Sequence, residues 1–418
     1  MAPPTGPDPS ARPGDRDLIY DWNTTQASPS PAHRVSMHDE TLRDGIQGPS
    51  VRDPEVEVKL RVLHLLNGLG IGSVDLGLPG AGARAVAHVE RLATEIRAKR
   101  LRIKALCAAR TLEVDIRPVV EISQRVGIPI EVAAFIGSSP IRQYAEGWTL
   151  EGMVENTRAA VRFARAEGLP VMYVTEDTTR AHPQTLRTLF GTAIEAGAQR
   201  IAVCDTVGHA TPDGVRALIA YVRGLVEEMN PAVGIDWHGH SDRGLGLINA
   251  IVAAQAGADR IHGCVLGLGE RVGNAPLDLL LVNFLLLGWI DADLSKLKEL
   301  GELIAEGTGM AIPANYPVLG RDAFRTGTGV HAAAVIKAKR KGDDWLANRV
   351  YSGVPAELFG CHQVIDIGPM SGESNVVFWL EEHGIDPKPA IVSAILQQAK
   401  RGTALMTDAE ILALVNRP

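Results

Sequence analysis

Eight short apolar runs, each followed by a helical pattern, constrain the fold of this 418-residue chain more than any other feature. The runs start 26 to 41 residues apart, near Val35, Val74, Ile103, Ile130, Val171, Ile201, Ile235 and Ile261. Strands that alternate with helices at this spacing indicate βαβ units and a parallel sheet. Eight such units within about 260 residues predict an α/β fold, the (β/α)8 TIM barrel.

The segments between these runs carry apolar residues on one helical face. In the segment Asp53 to Leu69, for example, Val58, Val62 and Leu65 recur at helical spacing. Similar segments cover residues 83–96, 151–166, 183–196 and 212–229. A doubly wound open sheet is the alternative, but no GxGxxG motif follows the first run, which disfavours it.

The chain divides into three parts. Residues 1–30 are rich in proline and serine, which predicts a disordered or loosely attached leader. Residues 31–300 would form the barrel, and the alternation of runs and helical patterns stops near residue 290. Residues 301–418 are then expected to form a linker and a mostly helical C-terminal accessory region. Thr407 and Glu410 form a capping box that predicts the start of the last short helix.

Composition and charge exclude several classes of function. The formal net charge of −7 argues against a nucleic-acid or anionic-membrane partner. The four cysteines include no CxxC pair and fit a reducing cytoplasm. The stretch from Leu279 to Ile290 is too short to span a bilayer, and the start of the chain has no apolar signal-peptide core. We therefore expect a cytoplasmic protein that acts on small molecules.

Two segments far apart in the chain contain residues suited to a single metal site. Residues two apart in a strand point to the same side, so His238 and His240 can reach one ion. Asp44, after the first run, would complete a set of two histidines and one carboxylate. Barrel active sites lie at the C-terminal ends of strands, where all three residues fall. The plainer alternative is two unrelated histidines.

Other polar residues follow runs at the same predicted rim. Arg43 precedes the candidate carboxylate, and residues 175–177 and 205–206 follow two later runs. An arginine beside a metal-binding carboxylate can stabilise a developing enolate or alkoxide, although a loop salt bridge is the alternative. Glu176, with Asp177 and Arg180, is either part of the site or only a strand-end polar cluster.

These motifs together resemble those of the isopropylmalate, homocitrate and citramalate synthases. That family belongs, with the hydroxymethylglutaryl-CoA lyases, to the TIM-barrel metallolyases. The resemblance covers about residues 35–385 and rests on Asp39-x-Thr41-Leu42-Arg43-Asp44-Gly45-x-Gln47, Asp205-Thr206-Val207-Gly208, His238-x-His240, Gly267-x-Gly269-Glu270-Arg271-x-Gly273-Asn274-Ala275 and Gly329-Val330-His331.

The resemblance implies a divalent metal (Mg, Mn, Zn or Co) and acetyl-CoA as co-substrate. Asp44, His238 and His240 would be the metal ligands, with Asn274 as a fourth or nearby ligand. The accessory region would reach over the barrel of a second subunit, which implies a homodimer.

The resemblance also implies roles for the remaining site residues. Arg43 would stabilise the oxyanion, and Glu176 would contact the substrate as part of the catalytic set. His331, with Tyr351, would be the acid/base group from the accessory region. Gln47 and Thr206 would make further substrate contacts at the barrel rim.

The implied activity is a Claisen-type condensation of acetyl-CoA with a 2-oxo acid, followed by thioester hydrolysis, as in 2-isopropylmalate synthase. The alternatives are a homocitrate or citramalate synthase-like activity, or a carbon–carbon lyase of the hydroxymethylglutaryl-CoA type. A metal-binding barrel without turnover would be expected to have lost a ligand or the acid/base group. Since none of these residues is missing, we disfavour that alternative.

Several positions depart from the family pattern. Ile46 stands where the synthases usually have glutamate, Ser241 replaces asparagine, and Cys264 and Leu266 replace threonine and asparagine. These changes fall near the expected substrate end of the site and leave the 2-oxo acid open. The sequence also lacks the long regulatory domain of typical isopropylmalate synthases, so we do not expect feedback inhibition by leucine.

Overall fold

A computed structural model describes residues 14–24, 30–31 and 34–416 of the chain. Eight parallel strands form a closed barrel in sequence order, with β8 pairing with β1. This confirms the predicted TIM barrel. The strands are β1 Ser36–Asp39, β2 Ser73–Asp75, β3 Lys104–Arg110, β4 Glu131–Gly137, β5 Val171–Glu176, β6 Arg200–Asp205, β7 Gly234–Gly239 and β8 Arg260–Gly263.

Each of the five segments predicted to be helical contains a helix, and two of these helices, α7 Pro183–Ala196 and α8 Pro212–Met229, begin and end at the predicted residues. One short helix, α1 Asp15–Leu18, lies within the expected leader. Thr211 caps α8 by accepting a hydrogen bond from the Gly214 amide at 3.3 Å, and Gly197 ends α7 with a φ of 107°. The described helices up to residue 308 are α1 Asp15–Leu18, α2 Val56–Gly68, α3 Ala83–Lys99, α4 Glu113–Val126, α5 Pro140–Glu146, α6 Leu150–Ala166, α7 Pro183–Ala196, α8 Pro212–Met229, α9 Gly246–Ala256, α10 Leu277–Leu286 and α11 Leu297–Thr308.

The accessory region is mostly helical, as expected. Its short strands β9 Arg325–Thr326 and β10 Val364–Ile365 pair with each other, and a small apolar core packs the last three helices together. The predicted capping box opens the final helix, with Thr407 accepting from the Glu410 amide. The helices are α12 Gly329–Arg340, α13 Asp344–Ala347, α14 Glu373–Glu382, α15 Pro389–Arg401 and α16 Asp408–Val415.

Much of the expected leader, residues 1–13 and 25–29, lies outside the described residues. The division at residues 30 and 300 therefore stays a proposal. Within the described ranges, no helix is both long enough and apolar enough to cross a membrane.

Charged side chains, rather than an apolar layer, fill part of the barrel interior. Asp236 on β7 is fully buried and pairs with two arginines, Arg260 on β8 and Arg200 on β6. It also lies 2.8 Å from His262 Nε2. Arg260 in turn donates to Glu131 at 2.9 Å. Burial alone would raise the pKa of Asp236, but the two guanidiniums lower it well below its ordinary value.

We expect Asp236→Asn to lower the free energy of unfolding by about 3–5 kcal/mol, because it leaves buried arginines without their counter-charge. Urea denaturation followed by circular dichroism measures this. Since folding depresses the pKa of Asp236, its stabilisation is complete above about pH 4 and declines as the pH falls further. The matched control is Asp213→Asn, at an exposed pair with Arg216, where the change should stay within about 0.5 kcal/mol. An equal loss in both variants would contradict this interpretation.

Candidate active site

A cavity of about 270 Å³ opens at the C-terminal ends of the barrel strands. Polar residues at or just after the ends of β1, β5, β6 and β7 meet there, as the predicted rim requires. Seven of the residues singled out in the sequence line it: Arg43, Asp44, Gln47, Glu176, Thr206, His238 and His240.

Three ligand atoms converge at one end of this cavity. His238 Nε2 lies 3.2 Å from His240 Nε2 and 3.3 Å from Asp44 Oδ2, and His240 Nε2 lies 3.6 Å from the same oxygen. An ion at the usual distance of about 2.0–2.2 Å from each ligand fits this triangle. The barrel sets this arrangement. His238 is in β7, and the His240 amide donates to the Asp205 carbonyl at the end of the neighbouring strand β6.

The charges of the three groups also suit a cation. Burial would raise the pKa of Asp44, but the Arg43 guanidinium lowers it to about 2, so the carboxylate is ionised. Burial alone would lower the pKa of His238, but Glu40 and Asp44 raise it to about 10. Burial and His238 lower the pKa of His240 to about 4. A metal that binds here displaces the proton held by His238.

Asn274 lies beside this triangle. It forms an isolated bridge with His240, and its Nδ2 donates to the Leu268 carbonyl at 3.0 Å. Its buried Oδ1 has no hydrogen-bond partner in the described part of the chain, as expected of a free ligand atom. Glycine is required in the loop that carries it, because Gly273 has a φ of 90° and an added Cβ would clash with the Gly267 carbonyl oxygen.

Arg43 is held with its guanidinium at the cavity wall. Its Nε donates to Asp75 at 2.9 Å, one terminal nitrogen pairs with Glu40, and the other lies 3.5 Å from Asp44. The side chain is 20% exposed. A guanidinium that Glu40 and Asp75 hold in place, with its remaining nitrogen toward Asp44 and the cavity, can donate to a developing oxyanion without reorganising.

The cavity also holds the other predicted contacts. Thr206 Oγ1 accepts from the Asp177 amide at 2.8 Å, and Gln47 is exposed at the cavity mouth. Burial raises the pKa of Glu176, whose carboxylate lies 3.4 Å from Arg142. Seven further lining residues are apolar: Leu78, Ala108, Ala133, Phe135, Met172, Val174 and Ala202.

The two accessory-region candidates lie apart from this group. His331 is in α12 and stacks on Tyr351 with ring centroids 4.2 Å apart. Both side chains are exposed, and neither lines the barrel cavity. A single chain therefore does not bring them to the metal triangle.

Sequence reasoning missed several groups that shape the site. Glu40, Asp75 and His262 are buried around Arg43 and His238, and Arg271 lines the cavity while donating to Asp242 at 2.8 Å. Glu40 directly follows one strand and Asp75 ends another, so their position at strand ends could have identified them as site residues.

A second group of potential ligands lies deeper, at His38, Glu40 and His262. Hydrogen bonds already engage both ring nitrogens of His262, at 2.6 Å to Glu40 and 2.8 Å to Asp236. All three residues of the Asp44, His238 and His240 triangle line the cavity, whereas His38 does not, so the triangle is the better candidate for a metal site.

Comparison with known proteins shows the family of this chain. A family model described as HMGL-like matches residues 34–304. Homocitrate synthase AksA of Methanopyrus kandleri is 32% identical over 88% of this chain and 87% of its own length. A probable 2-isopropylmalate synthase of the same organism is 30% identical over 88% of this chain and 69% of its own length. The HMG-CoA lyase structure from Bacillus subtilis shares the fold, with a TM-score of 0.56 and 19% identity over 68% of this chain and 97% of that one. This chain therefore belongs to the HMGL-like family.

Proposed function

We propose that this chain is an acyltransferase that condenses acetyl-CoA with an apolar 2-oxo acid and then hydrolyses the thioester, as a 2-isopropylmalate synthase does. The convergence of Asp44, His238 and His240 beside Arg43, in a cavity that apolar residues also line, carries the proposal. The synthase relatives match 88% of the chain, accessory region included, whereas the lyase structure covers 68%. This difference favours a synthase over a lyase.

The divalent metal, held by Asp44, His238 and His240, would polarise the carbonyl of the 2-oxo acid as a Lewis acid. His331 would remove a proton from the acetyl methyl group. The methyl carbon would then bond to the carbonyl carbon, while Arg43 donates to the carbonyl oxygen, which would finally take the proton that His331 removed. Water cleaves the thioester, giving a 2-alkylmalate and the free thiol of CoA. Glu176 and Thr206 would position the substrates.

The charges at the cavity support an apolar side chain on the 2-oxo acid. Two arginines line the cavity, and carboxylates already engage both of them. Arg43 is paired with Glu40 and Asp75, and Arg271 donates twice to Asp242, at 2.8 and 3.0 Å. A second substrate carboxylate would therefore find no arginine in the cavity that lacks a carboxylate partner, and its burial beside the apolar lining residues would be costly.

We further propose that the protein works as a homodimer in which each accessory region serves the partner's barrel. The exposure of His331 and Tyr351, away from their own chain's cavity, supports this arrangement.

An assay of thiol release from acetyl-CoA with a panel of 2-oxo acids tests the substrate proposal. We expect the highest kcat/KM with 2-oxoisovalerate, and a value at least about 10-fold lower with pyruvate, because smaller side chains leave apolar surface unfilled. With 2-oxoglutarate we expect a larger loss. A preference for 2-oxoglutarate would contradict the apolar pocket. Release with none of the acids, together with cleavage of a 3-hydroxyacyl-CoA, would establish the lyase instead.

A further inference from the structure

One buried carboxylate connects the metal triangle to Arg43. Glu40, 3% exposed, directly follows β1, and its amide donates to the Gly263 carbonyl at the end of β8. Its Oε2 pairs with Arg43. Its Oε1 lies 3.3 Å from His238 Nδ1 and 2.6 Å from His262 Nδ1. The side chain thus contacts the candidate ligand and the candidate oxyanion donor at once.

The contact with His238 determines which ring nitrogen can bind a metal. The Nε2 atom of His238 faces Asp44 and His240, so a neutral ring that binds metal through Nε2 carries its proton on Nδ1. In a buried site that N–H needs an acceptor, and Glu40 Oε1 lies within reach. A carboxylate behind a ligating histidine fixes the ring orientation and raises its basicity.

Glu40 is itself held by a chain of charges from the barrel interior. The His262 ring lies between Glu40 and Asp236, and Asp236 pairs with Arg260 and Arg200. His262 and Arg43 therefore hold the Glu40 carboxylate in place by contacts to its two oxygens. This arrangement leaves little freedom for the His238 ring.

The second histidine of the triangle has no such support. The buried Nδ1 of His240 has no hydrogen-bond partner in the described part of the chain. Of the two histidine rings, it is therefore His238 that a carboxylate can orient.

From this geometry we infer that Glu40 is a positioning residue, which orients His238 for metal binding and holds Arg43 beside the same ion. The inference rests on the metal site proposed above. Removing a carboxylate in this position typically lowers metal affinity by about 10–100-fold.

The test is a calorimetric titration of chelator-treated protein with Mn²⁺, in the wild type and in Glu40→Gln. We expect the variant to remain folded and its Kd to rise about 10–100-fold. The matched control is Glu131→Gln, which removes another charge inside the barrel, 2.9 Å from Arg260, and should leave the Kd unchanged while lowering the melting temperature. If Glu40→Gln fails to fold, Glu40→Asp, which keeps the charge on a shorter side chain, is titrated instead and should also bind more weakly.

Asp44→Asn separates failure of this inference from failure of the metal site itself. Loss of Mn²⁺ binding in Asp44→Asn, with unchanged affinity in the folded Glu40 variant, would overturn the positioning role and leave the metal site standing. Unchanged affinity in Asp44→Asn would overturn both. If the Mn²⁺ affinity fell equally in Glu40→Gln and Glu131→Gln, the cause would be a general loss of stability, and the inference would also be overturned.

Discussion

Replacing Arg43 with alanine is expected to lower kcat by about 10²–10³-fold, the usual effect of removing one oxyanion donor. The guanidinium is fixed by Glu40 and Asp75 and borders the cavity beside Asp44, so no other described side chain there is placed to substitute for it. Steady-state thiol release measures the change. Because the variant leaves Asp75 unpaired in the interior, the rate is compared at a temperature where circular dichroism shows both proteins folded.

Arg180→Ala is the control for this experiment. Arg180 also follows a barrel strand and pairs with Asp177 at 2.7 Å, but it does not line the cavity. Its removal should leave kcat unchanged. A wild-type kcat in Arg43→Ala would rule out the oxyanion role, and an equal loss in both variants would point to a general effect of disturbing the rim.

A heterodimer of two inactive variants is expected to recover about half of the wild-type activity, because one of its two sites is intact. The variants are Asp44→Asn, which removes a metal ligand, and His331→Ala, which should lower kcat by about 10²–10⁴-fold as the loss of an acid/base group. The expectation follows from the position of His331, exposed in α12 and absent from its own chain's cavity. Co-expression with two affinity tags isolates the mixed dimer for the thiol-release assay.

The two homodimeric variants are the controls and should both stay inactive. A mixed dimer as inactive as its parents would mean that each accessory region serves its own barrel. A monomer in solution would contradict the dimer outright.

The sequence predicted the barrel because the pattern is repeated and local. Each strand is an apolar run of its own, and each helix shows its apolar face within a single segment. The metal triangle was predictable for a related reason. His238 lies in β7, His240 directly follows that strand, and Asp44 follows β1, so the geometry of a closed barrel places them on one rim.

The buried partners of these residues were not predictable in the same way. Glu40 meets His262 because β1 pairs with β8 in a register that sets His38 opposite His262, a match between segments 222 residues apart. Similarly, Asp75 reaches Arg43 only once β2 lies beside β1. No pattern within a single segment of the sequence indicates which residues of two separate strands lie opposite each other. The position of His331 depends on how the accessory region packs, which follows no repeat.

Anomalous diffraction from crystals grown with Mn²⁺ and 2-oxoisovalerate tests the central claim most directly. We predict one strong peak per chain at about 2.0–2.3 Å from His238 Nε2, His240 Nε2 and Asp44 Oδ2, with the 2-oxo acid bound beside it. A peak between His38, Glu40 and His262 instead, or none with the triangle intact, would contradict it.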